Sequence, residues 1–219
     1  MSYQMTHMKV ANDLLKHYKE IENPKEFLLG SVAPDSVHMA SDYDIGRKIQ
    51  SHLFEKCGEW SNTQDHVQWK NNIIQFWENH KNKVSQKEKD FLAGVCVHCF
   101  TDYCNDLNNW IEMKKKYEEI MGQEEFIKIY RTEVFQMDQW LYQSEKDAEK
   151  IIEQMAQGEP FTMDGLLKKE EIRKQQKHLL EVQFQSSPIN LSNFEIFSKE
   201  YYLKFIADTE KEMMKLFVL

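Results

Sequence analysis

His98 and Asp102 stand four residues apart in the run Gly94-Val95-Cys96-Val97-His98-Cys99-Phe100-Thr101-Asp102. On a helix that spacing places an imidazole and a carboxylate one turn apart on one face, where both can converge on a single cation. The run is almost wholly apolar, so burying either group without a partner or a metal is costly. The bland alternative is that the pair hydrogen-bonds to itself or to a backbone carbonyl. The two residues alone do not choose between these readings.

Further donors stand at isolated places: His7 near the N-terminus, Asp35 after Pro34, and His52 within Gln50-Ser51-His52-Leu53-Phe54. Imidazole and carboxylate donors suit zinc, and other divalent metals are compatible with the same set. A thiolate site is less economical, because Cys96 and Cys99 flank His98 and no second cysteine pair exists. Cys57, Cys96, Cys99 and Cys104 read as reduced, structural thiols.

Four segments, Thr6-His7, Leu29-Gly30-Ser31-Val32-Ala33-Pro34-Asp35, Ser51-His52 and Gly94 to Asp102, resemble the zinc-dependent phospholipase C family and its small bacterial relatives, in the family's order. Glu59-Trp60 and Trp69 fall where such relatives have aromatics. The resemblance covers residues 1–110 and implies an all-α, multi-helix bundle of the phospholipase C and single-strand nuclease type. It also implies that Asp35, His52, His98 and Asp102 surround one metal, while His7 shares Asp102 with a second. Larger members carry a histidine six residues after the position of Asp102 and a downstream His-x3-Glu; here Asn108 stands there and no such motif follows. One or two zinc ions are therefore expected rather than three.

The chemistry implied is phosphoester hydrolysis, with metal-activated water attacking phosphorus. Asp35 is the candidate catalytic residue, as ligand and as acceptor of the water's proton. The expected substrate is a small phosphoester or a phospholipid head group. His38, His66, Asn105 and Asn109 are candidate substrate or supporting contacts. Asn105 and Asn109 continue the face of His98 and Asp102, although polarity at a helix end explains them equally well, and His38 and His66 also read as ordinary surface or core histidines. His17, His80 and His178 sit among charged residues and are assigned no function. Two other readings compete. A phosphohydrolase of the HD type expects adjacent His-Asp, and Asp65-His66 runs in reverse. A non-catalytic helical metal-binding or regulatory protein would retain the scaffold after losing part of the metal cluster.

The elements that must position these side chains are helices. With 7 Gly and 4 Pro in 219 residues, few turns are available, and helix formers dominate. Periodicity predicts a helix from Thr6, as cap, to about Tyr18, and a short one beginning at Asn23-Pro24 and ending near Gly30. Others are expected over 45–57 and 64–80, separated by a turn-like 58–62. Ser85 and Glu88 form a capping box before the buried helix that carries His98. One or two amphipathic helices over 123–158 and a charged helix over 164–182 look peripheral. Ser186-Ser187-Pro188 marks a turn, and Ser192 with Glu195 offers a second capping box before a long C-terminal helix. The whole reads as one helical domain over 1–219, with a metal-site half at 1–110 and packing helices at 111–219.

The formal charge of −8, from 36 acidic and 28 basic residues, gives no electrostatic footprint for a nucleic-acid duplex. The N-terminal residues show no leader pattern and no segment reaches membrane-spanning length, so a cytoplasmic protein without stable membrane anchoring is expected.

Overall fold

The computed structural model describes residues 3–184 and 187–216. The all-α expectation holds: ten α-helices and one two-stranded ribbon make up the regular structure of the described residues, apart from short 3-10 and π turns.

The axis of the fold is α5 (Gln86–Asn105), whose first turn is capped by Ser85, as its sequence predicts. Every residue from Asp90 to Asp102 on it is buried. The short α2 (Pro24–Gly30) crosses α5 at backbone contact. A Cβ on Gly30 would lie 2.0 Å from Phe91 O, and one on Gly94 would lie 2.1 Å from Phe27 O, so both positions need a hydrogen for a side chain. That approach brings Ser31, just past α2, beside His98.

The first helix, α1 (Gln4–Leu14), begins earlier than predicted, and Thr6 is not its cap. Its free amides are satisfied from afar. The fully buried Asp138 carboxylate, on α7 (Gln123–Ser144), accepts from Met5 N, Thr6 N and the Thr6 hydroxyl. A carboxylate there also complements the positive end of the helix dipole. Burial pushes the Asp138 carboxyl up to about 6, against these hydrogen bonds, which lower it. Tyr202 of α10 (Lys199–Leu216) closes the network at 2.6 Å from Thr6 Oγ1.

The third helix, α3 (Ile45–Ser51), is shorter than its periodicity predicts, because the chain turns sharply at His52. Leu53 and Lys56 adopt left-handed backbone, at φ 57° and 63°. Side chains of α4 (His66–His80) hold that turn: Trp69 Nε1 donates to His52 O, and Asn72 Nδ2 donates to Leu53 O and Glu55 O. The turn-like segment that follows is a small ribbon, β1 (Gly58–Glu59) against β2 (Asn62–Thr63), which carries Trp60 at its tip.

The polar cluster after Asp102 is not a helix end. The chain passes through a π turn, Asp106–Trp110, into α6 (Ile111–Met121). Asn105 and Asn109 are each 1% exposed inside this continuous run, so end polarity does not account for them.

The later helices are not peripheral either. Phe126, Val134, Met137 and Leu141 of α7 are buried, α8 (Ala148–Ala156) packs on α2, and α9 (Lys169–His178) packs on the 3-10 turn Ala33–Met39 that carries Asp35. The predicted charged helix over 164–182 is thus shorter at both ends, with Met163 and Leu167 bridging before it and a π turn after it. Ser192 and Glu195 do not cap α10. Ser192 lies in a separate 3-10 turn, the Ser198 hydroxyl accepts from Tyr201 N, and the amides of Glu195, Ile196 and Phe197 donate to the Glu133 carboxylate. Ser198 is therefore the local cap of α10, and a buried carboxylate on a neighbouring helix holds the residues just before it. Of the turn predicted at 186–188, Ser186 lies outside the described residues.

Candidate metal centre

Five side chains from four segments meet on the inner face of α5: His7 from α1, Asp35 from the 3-10 turn, His52 at the end of α3, and His98 and Asp102 from α5. The three imidazoles are fully buried and Asp102 is 3% exposed. His7 and His98 stack at a centroid separation of 3.8 Å, while His52 meets His98 edge to face. Asp102 turns one oxygen to each side, Oδ1 3.6 Å from His7 Nε2 and Oδ2 3.6 Å from His52 Nε2. Asp35 Oδ1 lies 3.2 Å from His52 Nε2. Donor atoms of His7, Asp35 and His98 lie within 4.8 Å of one another, as do those of His52, His98 and Asp102. The two groups share His98.

The backbone fixes which nitrogens are free. His98 Nδ1 lies 2.9 Å from Ser31 O, and His52 Nδ1 lies 3.0 Å from Lys48 O. A carbonyl only accepts, so His98 Nδ1 carries the hydrogen and its neutral ring presents a bare Nε2; His52 Nδ1 also meets the Ser51 hydroxyl at 2.9 Å, and the tautomer that donates to Lys48 O leaves its Nε2 bare as well. Those two Nε2 atoms face each other at 3.2 Å, with carboxylate oxygens around them. With both rings donating to the carbonyls, the opposed lone pairs repel unless a cation lies between them. His7 adds to the deficit, since neither of its buried ring nitrogens has a hydrogen-bond partner. An imidazole whose outer N–H is tied to a carbonyl and whose inner nitrogen is bare is the usual arrangement of a metal ligand. The donor set therefore fits a borderline cation such as zinc.

The electrostatics agree. Burial lowers His7 to about 3, helped by His98, and lowers His52 to about 4, helped by Lys48. Burial alone would raise Asp35, but Lys48 and the surrounding imidazoles outweigh it and hold the carboxyl well below its ordinary value. Asp102 is likewise lowered against burial, by His7 and His98. Neutral imidazoles and ionised carboxylates are the forms that bind metal.

Asp35 is also oriented from outside the cluster. Gln4 Nε2 donates to its Oδ2 at 2.7 Å, and Gln175 of α9 donates to Gln4 Oε1 at 3.2 Å, which sets the Gln4 amide the right way round. Lys48, 4% exposed and one turn before His52, sits 3.3 Å from Asp35 Oδ1. Neither Lys48 nor the two glutamines drew notice in the sequence. The four-residue spacing of Lys48 and His52 was the one signal available.

The other candidates divide. His38 is adjacent to the centre, 3.7 Å from Asp35 Oδ1 and in tilted contact with the ring of Tyr43. His66 is not: it pairs with Asp106 at 2.9 Å, and Asp65 caps α4, so Asp65-His66 plays no part in the cluster and the HD-type arrangement has no counterpart here. Asn109 Nδ2 donates to Asn105 Oδ1, and Asn105 donates to the Tyr130 hydroxyl, so both asparagines support the wall beside Asp102.

That wall belongs to a cavity of about 300 Å³ that reaches Asp102 between Trp60, Trp69, Trp110 and Tyr130, with Arg131 also on its lining. Trp110 Nε1 donates to Ser61 O and so pins the ribbon that carries Trp60. Tyr130 and Arg131 come from the half of the chain in which the sequence showed only helices.

A family model described as zinc dependent phospholipase C matches residues 6–207 of this chain. No curated protein and no solved structure matches it.

Proposed function

The chain belongs to the zinc-dependent phospholipase C family, and from that membership we propose that it is a zinc-dependent phosphoester hydrolase acting on a small phosphoester or a phospholipid head group. The observation that carries the reading is the approach of the Nε2 atoms of His52 and His98, opposed at 3.2 Å with the oxygens of Asp35 and Asp102 beside them. His7, Asp35, His52, His98 and Asp102 are the ligands, for one or two ions. Bound zinc supplies Lewis acidity, lowering the pKa of a water molecule toward neutrality and polarising a phosphoryl oxygen.

The chain's own residues do the rest. Ser31 O and Lys48 O hold the imidazole rings of His98 and His52 in place and fix their tautomers. Asp102 directs one oxygen to each side of the cluster. Asp35, steadied by Gln4 and Lys48, is foremost a ligand and is the carboxylate placed to take a proton from the attacking water. The aromatic cavity beside Asp102 takes the organic part of the substrate and keeps bulk water from the reacting groups, while Arg131 offers a cation to a phosphoryl oxygen. This opening favours the catalytic reading over a purely structural metal site, which would have no exchangeable position.

Among the described residues no helix is long and apolar enough to cross a membrane. A cytoplasmic location is supported by the cysteines, all four of them free and buried. Burial pushes the Cys57 and Cys104 thiols up to about 11 and about 12, as suits inert side chains.

The test is metal content by elemental mass spectrometry, beside hydrolysis of a chromogenic aryl phosphodiester by the zinc-loaded protein. Native protein should carry zinc and turn over the diester, and His98→Ala with Asp102→Ala should lose both. Zinc without turnover across phosphomonoesters, phosphodiesters and phospholipid vesicles would leave a metal-binding protein, and no zinc after reconstitution would remove the reading.

A further inference from the structure

Lys48 is a buried ammonium set among groups that otherwise look like metal ligands. Its Nζ lies 3.3 Å from Asp35 Oδ1 and 3.0 Å from His38 Nε2, and it sits over the ring of Trp60 at 5.1 Å from the centroid. An ammonium has only donors, so His38 must turn a lone pair toward it. The Nζ therefore stands where a carboxylate oxygen and an imidazole lone pair converge. His38 is 39% exposed, which leaves that place an edge toward water. A carboxylate, a neutral imidazole and access to water are what a further divalent cation would need.

We infer that Lys48 is a tethered cation filling a metal position beside the centre, so that the protein supplies from its own chain a positive charge that a further ion would otherwise bring. The inference rests on the reading of His7, His52, His98 and Asp102 as metal ligands. The same residue acts on both sides of that centre. Its ammonium holds Asp35, and its carbonyl accepts from His52 Nδ1. Removing the side chain charge spares the carbonyl that faces His52 Nδ1, while Asp35 and His38 are left facing each other with no cation between them. A metal ion from solution then has two protein ligands and open water positions. Lys48 is thus a positioning residue, and its loss leads to a gain of metal rather than a loss.

The experiment compares zinc bound per chain, by elemental mass spectrometry after reconstitution and desalting, in the native protein, Lys48→Met, Lys48→Gln, Lys48→Arg and Lys48→Met with His38→Ala. Lys48→Met and Lys48→Gln should each hold about one more zinc than the native protein, and added zinc should raise their melting temperature by more than it raises the native one. Lys48→Arg, which keeps the charge, should hold the native amount, and the double variant should lose the extra ion. Equal or lower zinc in both neutral variants, or failure of both to fold with zinc present, overturns the inference. An extra ion that survives His38→Ala overturns it too. A native protein with no zinc at all would instead sink the metal centre itself, which keeps the two failures apart.

Discussion

Gly30 and Gly94 meet backbone to backbone where α2 crosses α5, so closely that a Cβ built on Gly94 would stand 2.8 Å from Gly30 Cα and 2.1 Å from Phe27 O. The contact sets the distance between Ser31 O and His98 Nδ1, and through it the orientation of the His98 ring. Gly94→Ala should therefore lower the melting temperature by roughly 5–10 °C, from an overpacking cost of about 3 kcal/mol. It should also weaken zinc binding. Thermal unfolding with and without zinc checks both, and a variant with native stability would mean the two helices separate freely.

Chelation should destabilise the native protein, because an ion bound only by the folded state adds about 2.7 kcal/mol at a hundredfold excess over its dissociation constant. His7→Ala should shrink that response, since both His7 nitrogens lack partners inside the protein. Melting curves in zinc and in a chelator give the comparison. An undiminished zinc response in His7→Ala would exclude His7 as a ligand.

The metal-free protein should be acid-sensitive. His7 and His52 titrate in the folded state at about 3 and about 4, below the ordinary 6.5. The unfolded chain therefore binds these protons first. The stability they contribute is complete above about pH 6.5 and is lost as pH falls toward about 4, at about 1.4 kcal/mol per pH unit for each group. Urea unfolding of chelated protein at pH 7, 6 and 5 should show the loss, and His7→Leu should flatten it. A midpoint that does not move over that range would contradict the burial of neutral imidazoles.

Glu133 gathers the amides of Glu195, Ile196 and Phe197 at 2.5, 2.9 and 3.0 Å, ahead of α10. Glu133→Gln removes the charge and turns an NH2 toward one of these donors. The expected cost is about 2 kcal/mol, with faster amide exchange at 195–197. Unchanged exchange there would show that the segment is held by its apolar contacts instead.

Trp60 lines the cavity beside Asp102 and stacks edge to face on Phe54. Trp60→Ala should raise KM for an aryl phosphodiester about tenfold, the loss of one aromatic contact, with bound zinc unchanged. If KM stays constant while zinc falls, Trp60 supports the ligands rather than the substrate.

Much of the centre was legible in the sequence because its rules are local. Helical spacing put His98 and Asp102 on one face, the Ser85 cap started their helix where the pattern said, and the motifs that resemble the zinc-dependent phospholipase C family picked out His7, Asp35 and His52. Local rules failed where a distant side chain did the work. Thr6 looked like a cap, yet Asp138 caps that helix from 132 residues away. Ser192 and Glu195 read as a capping box, yet Ser198 caps α10 and the distant Glu133 holds the amides of 195–197 before it. The polarity of Asn105 and Asn109 reads equally well as a helix end, because nothing in the sequence marks the π turn that lets the helix continue.

What the sequence determined by itself was the class of fold and the identity of the metal-ligand candidates, since periodicity, capping and residue chemistry are properties of short segments. Tertiary structure alone decided which nitrogens of those candidates face backbone carbonyls, that Lys48 and Gln4 grip Asp35, and that Trp110, Tyr130 and Arg131 wall the cavity. These depend on how closely α2 approaches α5 and on how α7 lies against α1, distances set by packing between residues far apart in the chain.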